Sequence, residues 1–157
     1  MSDNSSDSST KPILTWAAAL YRPLEPLAWP AIRVITGLNL IPHGAQKLFG
    51  AFGGSGLEAT AAGFEKMGYT PGAFWATMVA CTEVFGGILI AIGLLTRPAA
   101  VAATIFLATA VTFHMGNGFF VGKGGYEYAL MWAVLAAAIA VRGGGRFSVD
   151  RAIGREF

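Results

Sequence analysis

The sequence predicts an all-α fold, a polytopic membrane four-helix bundle, on three observations. Hydrophobic residues make up 54% of the 157 and charged residues only 13%, against about a quarter charged in a typical soluble domain. The apolar stretches are hydrophobic nearly all round rather than along one stripe, as in helices solvated by lipid. The period-two alternation of a membrane β-barrel is missing. A mean hydropathy of +0.55 agrees, and the length is used up by four spans of ~20 residues with their connections.

Residues 1–12 are rich in Ser and Asp, with no basic region ahead of an apolar one. This predicts a disordered polar tail rather than a secretory signal. Residues 13–29 hold an apolar run too short to span, interrupted by Pro23 and Pro26 and closed by Pro30. With Trp16, Tyr21, Arg22 and Trp29 they carry the residue mix of a headgroup boundary and read as an interfacial segment. The first span is expected at 30–49, opened by Pro30 and ended by Gly50, Gly53, Gly54 and Gly56. Ser55 is placed to cap a second interfacial helix over 57–67, where Leu57, Ala61, Phe64 and Met67 share a face.

The second span is expected at 71–95 and the third at 98–115. The short Thr96-Arg97-Pro98 turn between them makes the two antiparallel neighbours. A glycine-rich stretch, 116–125, reads as a flexible outer loop. Its glycine spacing matches no phosphate-binding fingerprint, and no strand precedes it. The fourth span, 126–142, is stopped by Gly143-Gly144-Gly145. Residues 143–157 read as a basic cytoplasmic tail. Ala and Gly are frequent in spans two to four, which lets helix backbones approach closely.

The formal net charge of +2 gives no argument for nucleic acid, and the expected partner is the lipid bilayer. Cys81 is the single cysteine. It has no partner for an intramolecular disulfide and no zinc-ligand spacing, so it reads as a small apolar core residue. Basic residues divide unequally between the two sides. Lys11, Arg22, Arg33, Arg97, Arg142, Arg146, Arg151 and Arg155 fall on one, and Lys47, Lys66 and Lys123 on the other. The richer side is expected in the cytoplasm, with both termini.

Ionisable groups within a bilayer are costly and mark candidate sites. Arg33, Thr36, His43 and Lys47 fall within one broad face of the first span. Glu83 lies mid-way in the second, ~17 Å from its start. His114 ends the third span and Glu127 opens the fourth. The candidate polar pocket is therefore Arg33, His43, Lys47, Glu83, His114 and Glu127, with no metal. Arg33 and Lys47 also have an ordinary reading, as snorkelling side chains near a boundary. Glu127 has one as a first-turn charge on the helix dipole, and His114 as a wet residue beside the loop. Glu83 has no such reading. It must be protonated, hydrogen-bonded or paired, and Arg33, His43 and Lys47 are the partners on offer.

The string R-x-x-x-G-x-x-x-x-x-H-G-x-x-K from Arg33 to Lys47 resembles the DoxX family of small bacterial and archaeal membrane proteins. So do Glu83-Val84-Phe85-Gly86-Gly87 leading to Gly93-Leu94-Leu95-Thr96-Arg97, Glu127 at the start of span four, and Gly145-Arg146-Phe147-Ser148-Val149-Asp150 after it. The resemblance implies a four-helix fold in the bacterial cytoplasmic (inner) membrane, multi-pass. It also implies links to quinone-dependent oxidoreductases and to oxidative-stress complexes. The first functional reading is a redox-associated subunit holding a quinone-like molecule in an outer-leaflet pocket, with partner redox subunits supplying electrons, since the chain has no dinucleotide motif and no cysteine pair. The second is a non-catalytic scaffold or assembly factor, in which Arg33 and Glu83 pair inside a closed core. The third is a small-solute or proton pathway, which needs a homo-oligomer or a very narrow track. Two histidines on different helices, His43 and His114, formally permit a haem, which the resemblance does not call for.

Overall fold

A chain this apolar has little water to satisfy its backbone, so its N–H and C=O groups must pair within each segment. The computed structural model describes residues 13–157, and every regular element among them is helical. The expected disordered tail, 1–12, lies outside the described residues. The α-helices are α1 (Thr15–Tyr21), α2 (Glu25–Phe49), α3 (Gly56–Lys66), α4 (Gly72–Cys81), α5 (Gly87–Ile92), α6 (Thr96–His114), α7 (Glu127–Arg142) and α8 (Val149–Ala152). A π-helical turn, Thr82–Gly86, joins α4 and α5 into one rod. Two helices are long and apolar enough to cross a membrane, Gly72–Ile92 with 21 residues and Thr96–Asn117 with 22.

Several boundaries differ from those expected. Helix α2 starts at Glu25 rather than at Pro30 and runs through both Pro30 and Pro42. Each proline deletes one helical hydrogen bond, a loss that apolar helices tolerate where neighbouring helices support them. Thr96-Arg97-Pro98 is not the turn but the first turn of α6, where the N–H that proline lacks has no helical partner anyway. The chain reverses instead through residues 93–95, with Gly93 at φ +74° and Leu95 at φ +48°. Ser55 precedes α3 without a side-chain cap, because its backbone is already helical (φ −81°, ψ −12°) and turns the hydroxyl away from the first N–H groups. The expected flexible loop is folded. Tyr126 N donates to Gly118 O (3.1 Å) and Glu127 N to Phe119 O (2.9 Å), closing it on itself.

Packing explains the small residues. Ala99, Ala100, Ala103 and Leu107 of α6 meet Trp132, Ala133, Ala136 and Ile139 of α7, with Leu40 and Ile90 joining the same buried cluster. Helix α2 packs on α4, the π turn and α5. Its buried residues Arg33, Thr36, Gly37, Leu40 and Gly44 recur at helical spacing on one face. A methyl group on Gly37 would collide with the Gly87 carbonyl oxygen and stand 2.6 Å from the Ala91 nitrogen. One on Gly44 would stand 2.8 Å from Glu83 Cβ. These two glycines thus bring α2 onto the Glu83 turn at backbone distance. Gly37→Val is expected to force the helices apart and cost about 1–3 kcal/mol or more, since backbone atoms and not flexible side-chain ends oppose it. Thermal unfolding in detergent checks this, and an unchanged midpoint would refute the close crossing.

The outward surface is apolar. Phe74, Ile105, Val134 and Val141 are each more than half exposed, too much uncovered hydrophobic surface for water alone to solvate.

Candidate functional site: an ion pair on a π-helical turn

Lys47 lies one turn beyond Gly44, on the face that Gly44 brings close to the α4–α5 rod. Its Nζ donates to both carboxylate oxygens of Glu83, at 2.8 Å to Oε1 and 2.7 Å to Oε2. Glu83 is 3% exposed and Lys47 29%, so the carboxylate is sealed while the ammonium remains reachable. Glu83 belongs to the π turn, an irregularity that interrupts the ordinary bonding ladder and is frequent at functional sites. Lys47 Nζ also lies 5.9 Å from the Phe106 ring centre on α6. Close by in sequence on α2, His43 sets its ring 6.0 Å from that of Tyr128, and the Tyr128 hydroxyl donates to Asn39 Oδ1 at 2.7 Å. Asn39, Tyr128 and Trp132 were not among the sequence candidates. Trp132 Nε1 is a buried donor with no partner among the described residues, and its ring lies 5.8 Å from that of Tyr128.

The six sequence candidates do not gather into one pocket. Glu83 meets Lys47, but Arg33 is turned elsewhere. Ten residues separate Arg33 from His43 on the same helix, ~15 Å of rise. His114 Nδ1 lies 2.8 Å from the Gly124 carbonyl, so that nitrogen carries the proton and ties the α6–α7 loop. Glu127 Oε2 accepts from Val121 N at 3.1 Å in the same loop. Both groups thus tie down the 116–125 connection rather than line a pocket with Glu83. Among the described residues no cluster of His, Cys, Asp or Glu is arranged to hold a metal.

Arg33 builds a second polar centre with the C-terminal segment. Its guanidinium, 2% exposed, donates to Ile90 O (2.9 Å), Ala91 O (3.0 Å) and Phe147 O (2.7 Å). The first two are last-turn carbonyls of α5, where Ile90 O also accepts from Gly93 N at 3.2 Å, and a cation at this helix end adds bonds to them and is favoured by the dipole. On the other side of the turn, Asp150 does the converse for the start of α6. It accepts from Leu95 N (2.8 Å), Thr96 N (2.9 Å) and Thr96 Oγ1 (2.6 Å). Asp150 N in turn donates to Gly93 O at 2.8 Å, and Trp29 Nε1 donates to Gly143 O at 3.0 Å. Residues expected to trail as a basic tail therefore clamp one end of the helices together. The direct Arg33–Glu83 pair expected of a closed scaffold is not formed.

Burial opposes the charge on Asp150, but the Thr96 side-chain and backbone bonds, the Leu95 bond and the nearby Arg33 charge outweigh it and hold the carboxyl below its ordinary range. A depressed carboxyl contributes stability that is present above the unfolded value of about 3.9 and is lost as the pH falls through the folded one. Stability from this group is thus expected to be level through neutral pH and to fall only below about pH 4. In Asp150→Asn the acid limb should flatten while stability at neutral pH drops, as read by unfolding midpoints between pH 3 and 7. An unaltered acid limb would remove Asp150 from the account.

A chain whose described residues form helices alone, with an apolar outer surface, an ion pair between helices and a capped turn, is of the membrane-associated class. The DoxX family model matches residues 28–115, more than half of the chain, and the chain belongs to that family. It is also 30% identical over 116 residues to a protein of Bacillus subtilis (strain 168) named "Putative oxidoreductase CatD", covering 74% of this chain and 78% of that one. No solved structure matches it.

Proposed function

We propose that this DoxX protein is a redox-associated subunit of the bacterial cytoplasmic membrane that binds a quinone-like molecule beside the Lys47–Glu83 pair. In this reading α2, the α4–α5 rod, α6 and α7 cross the bilayer, both termini lie in the cytoplasm, and the α6–α7 loop faces outward. The observation that carries the reading is the asymmetric pair itself, a sealed carboxylate holding a partly exposed ammonium on a π-helical turn. Lys47 Nζ has two of its three donors committed to Glu83. The remaining one is weakly engaged by His43 O at 3.4 Å and can serve a carbonyl oxygen. Tyr128, Asn39 and the unmet Trp132 donor add polar groups on α2 and α7. The oxidoreductase name borne by the relative favours redox chemistry over transport.

In such a site Lys47 would bind the carbonyl and deliver a proton as a partner redox subunit supplies electrons. Lys47, 29% exposed, would take its replacement proton from water, and the Glu83 carboxylate would hold the ammonium in place. The test is tryptophan-fluorescence quenching of the detergent-purified chain titrated with short-chain ubiquinone and menaquinone analogues. Wild type should saturate, and Glu83→Gln should bind at least tenfold more weakly while retaining its unfolding midpoint to within a few degrees. Absence of saturable binding by wild type would overturn the reading. Undiminished activity in cells for a stably expressed Glu83→Leu would favour the scaffold alternative, for which the structural roles of Arg33 and Asp150 already give a precedent.

A further inference from the structure

The clamp formed by the C-terminal segment leaves a groove of about 410 Å³ that the proposed redox site does not use. Three arginines line it, Arg142 at the end of α7, Arg151 in α8 and Arg155 beyond it, together with Ser148, Asp150 and Glu156. The two carboxylates are already engaged. Both oxygens of Asp150 cap α6, and Glu156 faces Arg97 at 3.4 Å. Arg142, Arg151 and Arg155 have no carboxylate partner within salt-bridge distance among the described residues. The groove therefore presents guanidinium charge whose natural complement, an anion, is not supplied by the chain around it.

The surroundings say where that anion comes from. Arg142 lies 4.6 Å over the Trp29 ring, the aromatic and basic pairing of a headgroup boundary. Val141, Phe147, Ile153 and Phe157 are each more than half exposed around the same end of the molecule. A soluble anion gains nothing from exposed apolar side chains beside its site, whereas a lipid offers both a phosphate to the guanidiniums and acyl chains to the apolar rim. Arginine also suits phosphate geometrically, since its planar fork binds two oxygens at once.

We propose that the groove between the end of α7 and α8 binds the phosphate of an acidic phospholipid at the membrane surface, through Arg142, Arg151 and Arg155. This rests on the chain's being embedded in a membrane and not on the quinone reading. The bound headgroup ties the C-terminal clamp to the bilayer.

The full chain in mild detergent, titrated with phosphatidylglycerol, cardiolipin or phosphatidylcholine and read by native mass spectrometry, tests this. Wild type is expected to retain the two acidic lipids at least tenfold over phosphatidylcholine. The Arg142→Gln/Arg151→Gln/Arg155→Gln variant should lose roughly a hundredfold in that retention, as three basic residues near a lipid surface imply. Arg146 carries the same charge in the same segment but stands over the Phe147 ring outside the groove, so Arg146→Gln should retain lipid as wild type does. An equal loss in Arg146→Gln would reduce the effect to general tail charge and overturn the site. Equal retention of acidic and neutral lipids by wild type overturns it also, as does displacement of the acidic lipid by millimolar inorganic phosphate. Should the triple variant fail to fold, Arg155→Gln alone, at the exposed end of the chain, is expected to weaken retention about fivefold. No change there counts against the proposal.

Discussion

Lys47→Met is expected to destabilise the protein by about 3–5 kcal/mol, the usual cost of leaving one member of a buried ion pair alone. Glu83 is 3% exposed and takes both short bonds from Lys47, so without the ammonium it must either stay charged in an apolar interior or take up a proton. Glu83→Leu is expected to cost less, because Lys47 is 29% exposed and its long stem can carry the charge to the surface. The double variant Lys47→Met/Glu83→Leu should recover most of the stability lost in Lys47→Met, since apolar groups of similar volume often replace a buried pair at little cost. Unfolding midpoints of the four proteins in one detergent close the thermodynamic cycle. A double variant no more stable than Lys47→Met would mean that the pair is not the source of the loss. The same four proteins separate stability from function. If the pair is only structural, the double variant regains cellular activity along with stability. If it binds a redox molecule, stability returns and activity does not.

Arg33→Met should be as damaging, by a different mechanism. Three carbonyls lose a charged donor at once, and charge-assisted hydrogen bonds contribute about 1.5–3 kcal/mol each. Two of those carbonyls end α5 and the third belongs to the segment that carries Asp150. Loosening that segment also weakens the cap on α6 and the support for Leu95, whose φ of +48° costs a non-glycine residue roughly 1–2 kcal/mol. The expected result is a loss of at least 3 kcal/mol, with protease cleavage appearing between Gly143 and Asp150 before global unfolding. Arg33→Lys should rescue little, because an ammonium is a single point and cannot span carbonyls on two segments as a planar fork does. A stable Arg33→Lys protein whose C-terminal segment resists protease would refute the clamp. The largest energetic effects are thus placed at two separate centres, one at each end of the buried face of α2.

The helical class of this protein is legible from composition and patterning, because lipid and backbone hydrogen bonding leave an apolar chain few choices. The places of α3, α6 and α7 follow within a few residues from glycine and proline punctuation. Glu83 could be singled out from sequence alone, since a carboxylate deep in an apolar run always demands a partner. Which partner it takes is decided by tertiary structure. Arg33 and Lys47 share a face and a charge, and only the close approach at Gly37 and Gly44 fixes which of them meets the π turn and which meets the end of α5. The π turn itself leaves no mark in the sequence, as it arises from how a helix accommodates its neighbour rather than from a breaking residue. The same holds for Asp150. Within a run of arginines it reads as one charge in a solvated tail, and its role as the cap of α6 exists only because the chain folds back on a turn more than fifty residues away in sequence. Local patterns report whether a segment is helical and where a charge is costly, because those energies depend on neighbours in sequence. The pairing of charges depends on distances across the fold, and a single sequence does not contain them.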